Sequence, residues 1–380
     1  MKPQYYQNNF KLGVLGGGQL GRMLIQSGID LNISFSVLDP DVNAPCNQLA
    51  PFTTGKLTDY DTVIQFGSSC DLITIEIENV NTAALRELEK RGKKVFPQPS
   101  IIELIQDKRI QKQFYVDNEI PTAEFVLTEN KSDVLKHKAF LPAVNKLGKE
   151  GYDGRGVQMI RSEQDLEKAF DSPGLLEKLI DFDKEIAIIV AKNEKGDIIS
   201  YPAVEMAFHP EKNLVEYLFA PADLPDAIQQ KADQIARKVI DRLGLVGILA
   251  VEMFVTKGGE VLVNEVAPRP HNSGHQTIEA NYTSQYEQHL RAILNQPLGS
   301  TKMLIPSAMV NLLGEDGFTG EAKYQGMEAV LALEGVHVHL YGKKITKPFR
   351  KMGHVTIVDN DMESLRKKAN FVKDNLKVIA

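Results

Sequence analysis

Only two cysteines, Cys46 and Cys70, occur in 380 residues. They form neither a C-x-x-C pair nor a zinc-finger spacing. That excludes a disulfide framework and a cysteine-built metal site, and it predicts a reducing, cytoplasmic setting. No apolar run approaches the ~20 residues that cross a bilayer, so no membrane function is expected. The opening "MKPQYYQNNFK" is polar and lacks an apolar signal core, so secretion is not expected either. Positive charge is not in surplus: 44 Lys and Arg against 50 Asp and Glu leave a net charge of −6. This argues against nucleic acid as a partner, yet a small anionic substrate needs only local cations. Internal repeats, low-complexity tracts, G-x-x-x-x-G-K-[ST] and H-E-x-x-H are all missing, which excludes P-loop and zincin chemistry.

What is there has the composition of a globular protein, with 43% hydrophobic and 25% charged residues. The length suits two or three domains. Residues 11–15 read as a strand running into "GGGQLG", followed by the helix "RMLIQSGIDL" and the strand "SFSVLD". This β-loop-α-β unit predicts a parallel sheet. "DLITIEIENV" reads as a strand whose alternation sets Thr74, Glu76 and Glu78 on one face, and Ile73, Ile75 and Ile77 on the other. "SIIELIQDKRIQKQFYVDN" reads as one helix capped by Ser100. A first boundary falls near Pro121. From 122 to about 300 the pattern is α+β, with a helix near 225–243 and a glycine-rich candidate mobile loop at 149–156. The last 80 residues mix strands with a terminal basic helix.

Gly16-x-Gly18-x-x-Gly21, with Asp39 about 20 residues on, matches a dinucleotide fingerprint. The same turn suits any anion at a helix N-terminus, and no downstream residue set argues for hydride transfer. "ILAVEMFVTKGGEVLVNEVA" reads as a hairpin in which Val255 opposes Glu260 and Glu252 opposes Val263. Glu265 then lies diagonal to Glu252 on one face, within ~8 Å. Asn264 points to the other face unless the strand end turns it inward. Two carboxylates so placed repel unless a cation sits between them, and oxygen ligands select Mg²⁺ or Mn²⁺. In "VNEVAPRPHNSGH" the prolines stop the sheet and set Arg269 and His271 beside that metal pair. His271 and His275 have zinc spacing, but Pro268 and Pro270 argue against the helix this requires. Lys108 and Lys146, a glycine-rich loop and an acidic pair make a nucleoside triphosphate the economical ligand, with Glu185 in reach of a ribose.

The order Lys108, Lys146, glycine-rich loop, "EKLI", Glu252 and "NE" at 264–265 resembles the ATP-grasp superfamily. More specifically, "GGGQLGRM", "ITIEIENV", "GYDGRG", "NEVAPRPHNSGH", "NLLG" and "HLYGK…RKMGH" resemble the 5-(carboxyamino)imidazole ribonucleotide synthase family of purine biosynthesis, over nearly the whole chain. The resemblance implies a Rossmann-like N-terminal domain (1–120), a central ATP-grasp domain (121–302) and a small β-rich C-terminal domain (303–380). It implies ATP, bicarbonate and 5-aminoimidazole ribonucleotide as substrates, Mg²⁺ as cofactor, and a homodimer. By the same resemblance, Lys108, Lys146 and Asn264 join the ATP site, and Glu177, Lys178, Leu179 and Glu185 its adenosine part. Glu252 and Glu265 hold the metal. Arg269, His271, Asn272 and Lys343 form the bicarbonate pocket. Gln19, Leu20, Glu76, Tyr152, Arg155, Lys343 and Arg350 bind the ribonucleotide, with Glu78 an alternative to Glu76. The amine's proton goes to the leaving phosphate or to His271. Rival readings are a formate-dependent glycinamide ribonucleotide transformylase, which shares "PRPH", an NAD oxidoreductase, and a nucleotide sensor without turnover.

Overall fold

The computed structural model describes residues 5–6, 9–149, 156–208 and 215–380. Near the N-terminus, five parallel strands lie in the order Phe52–Thr54, Ser34–Asp39, Lys11–Leu15, Leu72–Ile75 and Lys94–Val95. Helices Gln19–Ile29, Tyr60–Ser68 and Thr82–Lys90 provide the crossovers. Leu12, Val14 and Val37 pack into one apolar cluster and Leu15, Leu38, Ile73 and Ile75 into another.

Two expectations fail here. The strand expected to carry Glu76 and Glu78 ends at Ile75, and all four of its residues are buried. A central parallel strand is covered on both faces, so its run is continuously apolar rather than alternating. The single helix capped by Ser100 is two helices, Pro99–Gln106 and Lys108–Asp117. Pro99 occupies the first turn, where a missing N–H costs nothing. Asp107 breaks the run with an extended backbone and caps the second helix by accepting from the Arg109 N–H.

An antiparallel sheet of four strands follows, in the order Phe125–Thr128, Gly174–Lys178, Ala143–Leu147 and Val157–Ile160. A larger sheet runs Val261–Ala267, Gly247–Thr256, Phe182–Lys192, Val204–Phe208, Val215–Ala220, Ser307–Leu313, Lys351–Val358 and Val336–Leu340. The C-terminal strands thus extend the central sheet without a break. Helix Asp226–Leu243 covers one face, packing Ile235, Val239 and Ile240 on Ile186, Leu249 and Met253. Gly244 ends that helix in the left-handed region, at φ 65°. No helix among the described residues is long and apolar enough to cross a membrane.

Candidate active site

The site forms where the edge strand Val261–Ala267 and its neighbour in the large sheet meet the four-stranded sheet and the helix Lys108–Asp117. Its acidic centre lies on the hairpin of Gly247–Thr256 and Val261–Ala267. Glu252 pairs directly with Glu265, not with Val263 as the sequence suggested. Val255 opposes Val261, so the turn is one residue longer than expected. A β-bulge between the Met253–Val263 and Glu252–Glu265 pairs then leaves Asn264 without a counterpart. Asn264 consequently reaches the same pocket: its Oδ1 accepts from Lys146 Nζ at 3.2 Å, and it also hydrogen-bonds Glu185.

Burial, then Glu265, pushes the Glu252 carboxyl well above the usual carboxylate range. Lys108 holds Glu265 below that range, through a 2.8 Å ion pair. The Glu265 side chain is nonetheless 47% exposed. Glu185, on the neighbouring strand, is pushed up to about 7 by burial and by Glu265. Glu265 thus raises both of the other carboxyl groups, while Lys108 is paired directly to Glu265 itself.

Lys146 and Glu177 lie on one face of the four-stranded sheet, and Lys146 Nζ is 2.9 Å from Glu177 Oε1. Lys112, one helical turn past Lys108, meets the other oxygen of Glu177 at 2.6 Å. The carboxylate of Glu177 therefore faces two lysines. Lys178 turns away, donating to Phe140 O at 3.1 Å, and the Leu179 N–H donates to Pro142 O at 3.2 Å.

Arg269 Nε is 2.9 Å from Glu78 Oε1. His271 Nε2 lies 3.6 Å from Glu252 Oε1, while its Nδ1 is 2.9 Å from Ser273 Oγ. Burial and the Arg269 charge pull His271 down to about 3, so its ring is neutral. Asn272 opens the short turn that follows. His275 faces elsewhere, 2.9 Å from Tyr286 Oη and stacked on His354 at 4.5 Å. No cluster of three His, Cys, Asp or Glu side chains suited to a metal occurs among the described residues, so the zinc spacing has no counterpart in space.

The glycine turn near the N-terminus is satisfied by the protein itself. The Gly17 N–H donates to Asp39 Oδ2 at 2.7 Å, the Gly18 N–H to Glu76 Oε2 and the Leu20 N–H to Glu76 Oε1 at 3.1 Å. With those donors taken, the dinucleotide reading loses its phosphate cradle. The geometry also separates the two acids that the sequence left interchangeable: Glu76 belongs to the glycine turn beside Gln19, and Glu78 to Arg269. Lys343 Nζ donates to Lys351 O at 2.7 Å and Arg350 Nη1 to Ile345 O at 2.7 Å. Lys351, which sequence reasoning passed over, carries the charge felt by both Glu252 and His271. Tyr152, Arg155 and most of the 149–156 loop lie outside the described residues.

Three family models match the chain in order. They are the ribonucleotide synthetase preATP-grasp domain over residues 10–106, the ATP-grasp domain over 113–286 and the phosphoribosylaminoimidazole carboxylase C-terminal domain over 307–368. The N5-carboxyaminoimidazole ribonucleotide synthase of Bacillus subtilis is 38% identical over 91% of this chain and 91% of that protein. The phosphoribosylaminoimidazole carboxylase of Saccharomyces cerevisiae is 36% identical over 95% of this chain but 66% of its own length, so the chain spans about two thirds of such relatives. N5-carboxyaminoimidazole ribonucleotide synthetase from Thermotoga maritima superposes with a TM-score of 0.91 at 43% identity, covering 98% of this chain and 99% of that one. The Aspergillus clavatus synthase, in complex with ADP and 5-aminoimidazole ribonucleotide, superposes at 0.88 with 36% identity, covering 97% and 98%.

Proposed function

The chain belongs to the N5-carboxyaminoimidazole ribonucleotide synthase family, and from that premise we propose that it carboxylates 5-aminoimidazole ribonucleotide with bicarbonate, driven by ATP, in purine biosynthesis. The observation that carries the reading is the facing pair Glu252 and Glu265, set between Lys108 and Lys146 on one side and Arg269 and His271 on the other.

The residues fit a magnesium ion. Two opposed carboxylates, one pushed up by burial and then by the other, form a hard oxygen set, and Mg²⁺ is usually held by one or two carboxylates plus substrate phosphates. Glu252 and Glu265 would hold it. When bound, it would neutralise charge on the triphosphate.

The chain's own groups supply the rest. Lys108 and Lys146 hold the phosphates, and Arg269 holds bicarbonate in line with the γ-phosphorus. A bicarbonate oxygen attacks that phosphorus, the bond to ADP breaks, and carboxyphosphate forms. The ribonucleotide amine then attacks the carboxyl carbon, the bond to phosphate breaks, and the departing phosphate takes the amine proton. The ribonucleotide lies over the glycine turn at Gln19, Leu20 and Glu76, its phosphate near Lys343 and Arg350. The reading includes a homodimer, as the resemblance implies, and a cytoplasmic location, as the cysteine usage predicts.

The direct test is product identity. Incubation with ATP, Mg²⁺, ¹³C-bicarbonate and 5-aminoimidazole ribonucleotide should give a ribonucleotide labelled at a carbon on its amine nitrogen, with one ADP and one phosphate per product. ADP formed without labelled product would contradict it.

A further inference from the structure

Lys112 has no part in the reaction as described, yet it is one of the most deeply buried charges in the protein, with its side chain 3% exposed. Its ammonium touches two groups, Glu177 Oε2 at 2.6 Å and Thr122 Oγ1. Thr122 in turn donates to Val263 O at 2.7 Å, on the strand that carries Asn264 and Glu265. A buried lysine pays a large desolvation cost, and burial here holds Lys112 down to about 8 in spite of its acidic partner. A simple structural tie between helix and sheet would be better made with apolar side chains.

The charge count around Glu177 supplies a reason. Its carboxylate is 3% exposed and meets two ammonium groups, Lys146 on one oxygen and Lys112 on the other. The third lysine in reach, Lys108, is paired instead with Glu265 at 2.8 Å. Lys146 is the group that must turn toward the phosphates when ATP arrives. If it were the sole partner of Glu177, its departure would leave a bare carboxylate in a dry site, which is strongly unfavourable. With Lys112 fixed on the second oxygen, Glu177 remains paired whether or not Lys146 is present.

We infer that Lys112 is a positioning residue for nucleotide binding: it is the standing counter-charge of Glu177 that frees Lys146 for the phosphates of ATP. This rests on the ATP-dependent reading above, and on the geometry of the three side chains.

The test measures ATP dissociation constants for the full chain from pH 6 to pH 7.5, below the value of about 8 at which Lys112 would itself lose its charge. Wild-type affinity for ATP, with its Mg²⁺, is the control for the functional reading; no binding by wild type would overturn that reading rather than the role of Lys112. In Lys112→Met, release of Lys146 requires Glu177 to take a proton from solvent. ATP affinity should therefore fall by tenfold or more at pH 7 and weaken further as pH rises, by up to tenfold per pH unit. Lys112→Arg should keep the affinity near wild type. Adding Glu177→Gln to Lys112→Met should abolish the extra pH dependence, because no carboxylate is left to protonate. Should Lys112→Met fail to fold in a thermal melt, Lys112→Gln, which keeps a polar contact to Thr122 without the charge, replaces it with the same expectations. Unchanged ATP affinity in the neutral variants, or a loss that does not vary with pH, would overturn the proposal.

Discussion

Glu252 and Glu265 face each other directly across the hairpin, because a bulge at Asn264 shifts the register just before the strand ends. Continued regular pairing would have set Glu252 against Asn264 and turned Glu265 to the opposite face. Glu265→Gln removes one of two opposed charges and should lower turnover by about 100-fold, with the Mg²⁺ concentration for half-activity raised roughly tenfold or more. A magnesium titration of ADP release checks this. Unaltered Mg²⁺ dependence would place the metal elsewhere.

Glu78 holds Arg269 by its Nε at 2.9 Å, and Gln106 fixes the loop by donating to Glu78 O at 2.6 Å. A guanidinium positioned at one edge is pre-set for an anion at the other. Glu78→Gln should raise KM for bicarbonate about tenfold, as the ion pair that anchors Arg269 is lost. KM for ATP should move little. Initial rates at varied bicarbonate decide it; equal shifts in every KM would reduce Glu78 to a structural part.

A methyl group on Gly18 would overlap the Glu76 carboxylate, and one on Gly16 would come within 2.9 Å of Glu76 Cβ. Gly18→Ala should therefore displace Glu76 and cost roughly 1–3 kcal/mol of stability. It should also raise KM for the ribonucleotide well beyond any change for ATP. A thermal melt together with two substrate titrations tests both parts.

The elements that were legible in the sequence are those with strong local signals. The glycine turn between a strand and a helix, the helix ending at Gly244 and the hairpin around Lys257–Gly259 each carry a local residue signal. The bulge was not legible, since which residue is left unpaired depends on how the strand end packs against Lys146 and Glu185. The roles of Glu76 and Glu78 were ambiguous for a similar reason: alternation assumes a strand, and the strand stops at Ile75. Lys112 had a signal that went unused, its i, i+4 spacing from Lys108 on one helix face. Lys351 had only its place at the start of a strand.

His289 gives a prediction about acid stability. It is fully buried, its Nε2 lies 2.9 Å from Thr74 Oγ1, and burial pulls it from 6.5 down to about 3. Between those values the unfolded chain binds a proton that the folded chain does not. Stability is therefore complete above about pH 6.5 and falls as pH drops below it, by at most ~1.4 kcal/mol per unit for each such histidine. Urea midpoints should decline from pH 7 to pH 5, and the decline should be shallower in His289→Gln. A flat profile would mean that the imidazole takes up its proton in place.

The most direct measurement is the rate of ADP release with ATP, Mg²⁺ and bicarbonate, in the presence and absence of 5-aminoimidazole ribonucleotide. The account predicts strong stimulation by the ribonucleotide, lost in Glu265→Gln. Binding of ATP with no stimulation would contradict it and would direct the search to another acceptor, with glycinamide ribonucleotide and formate tested first.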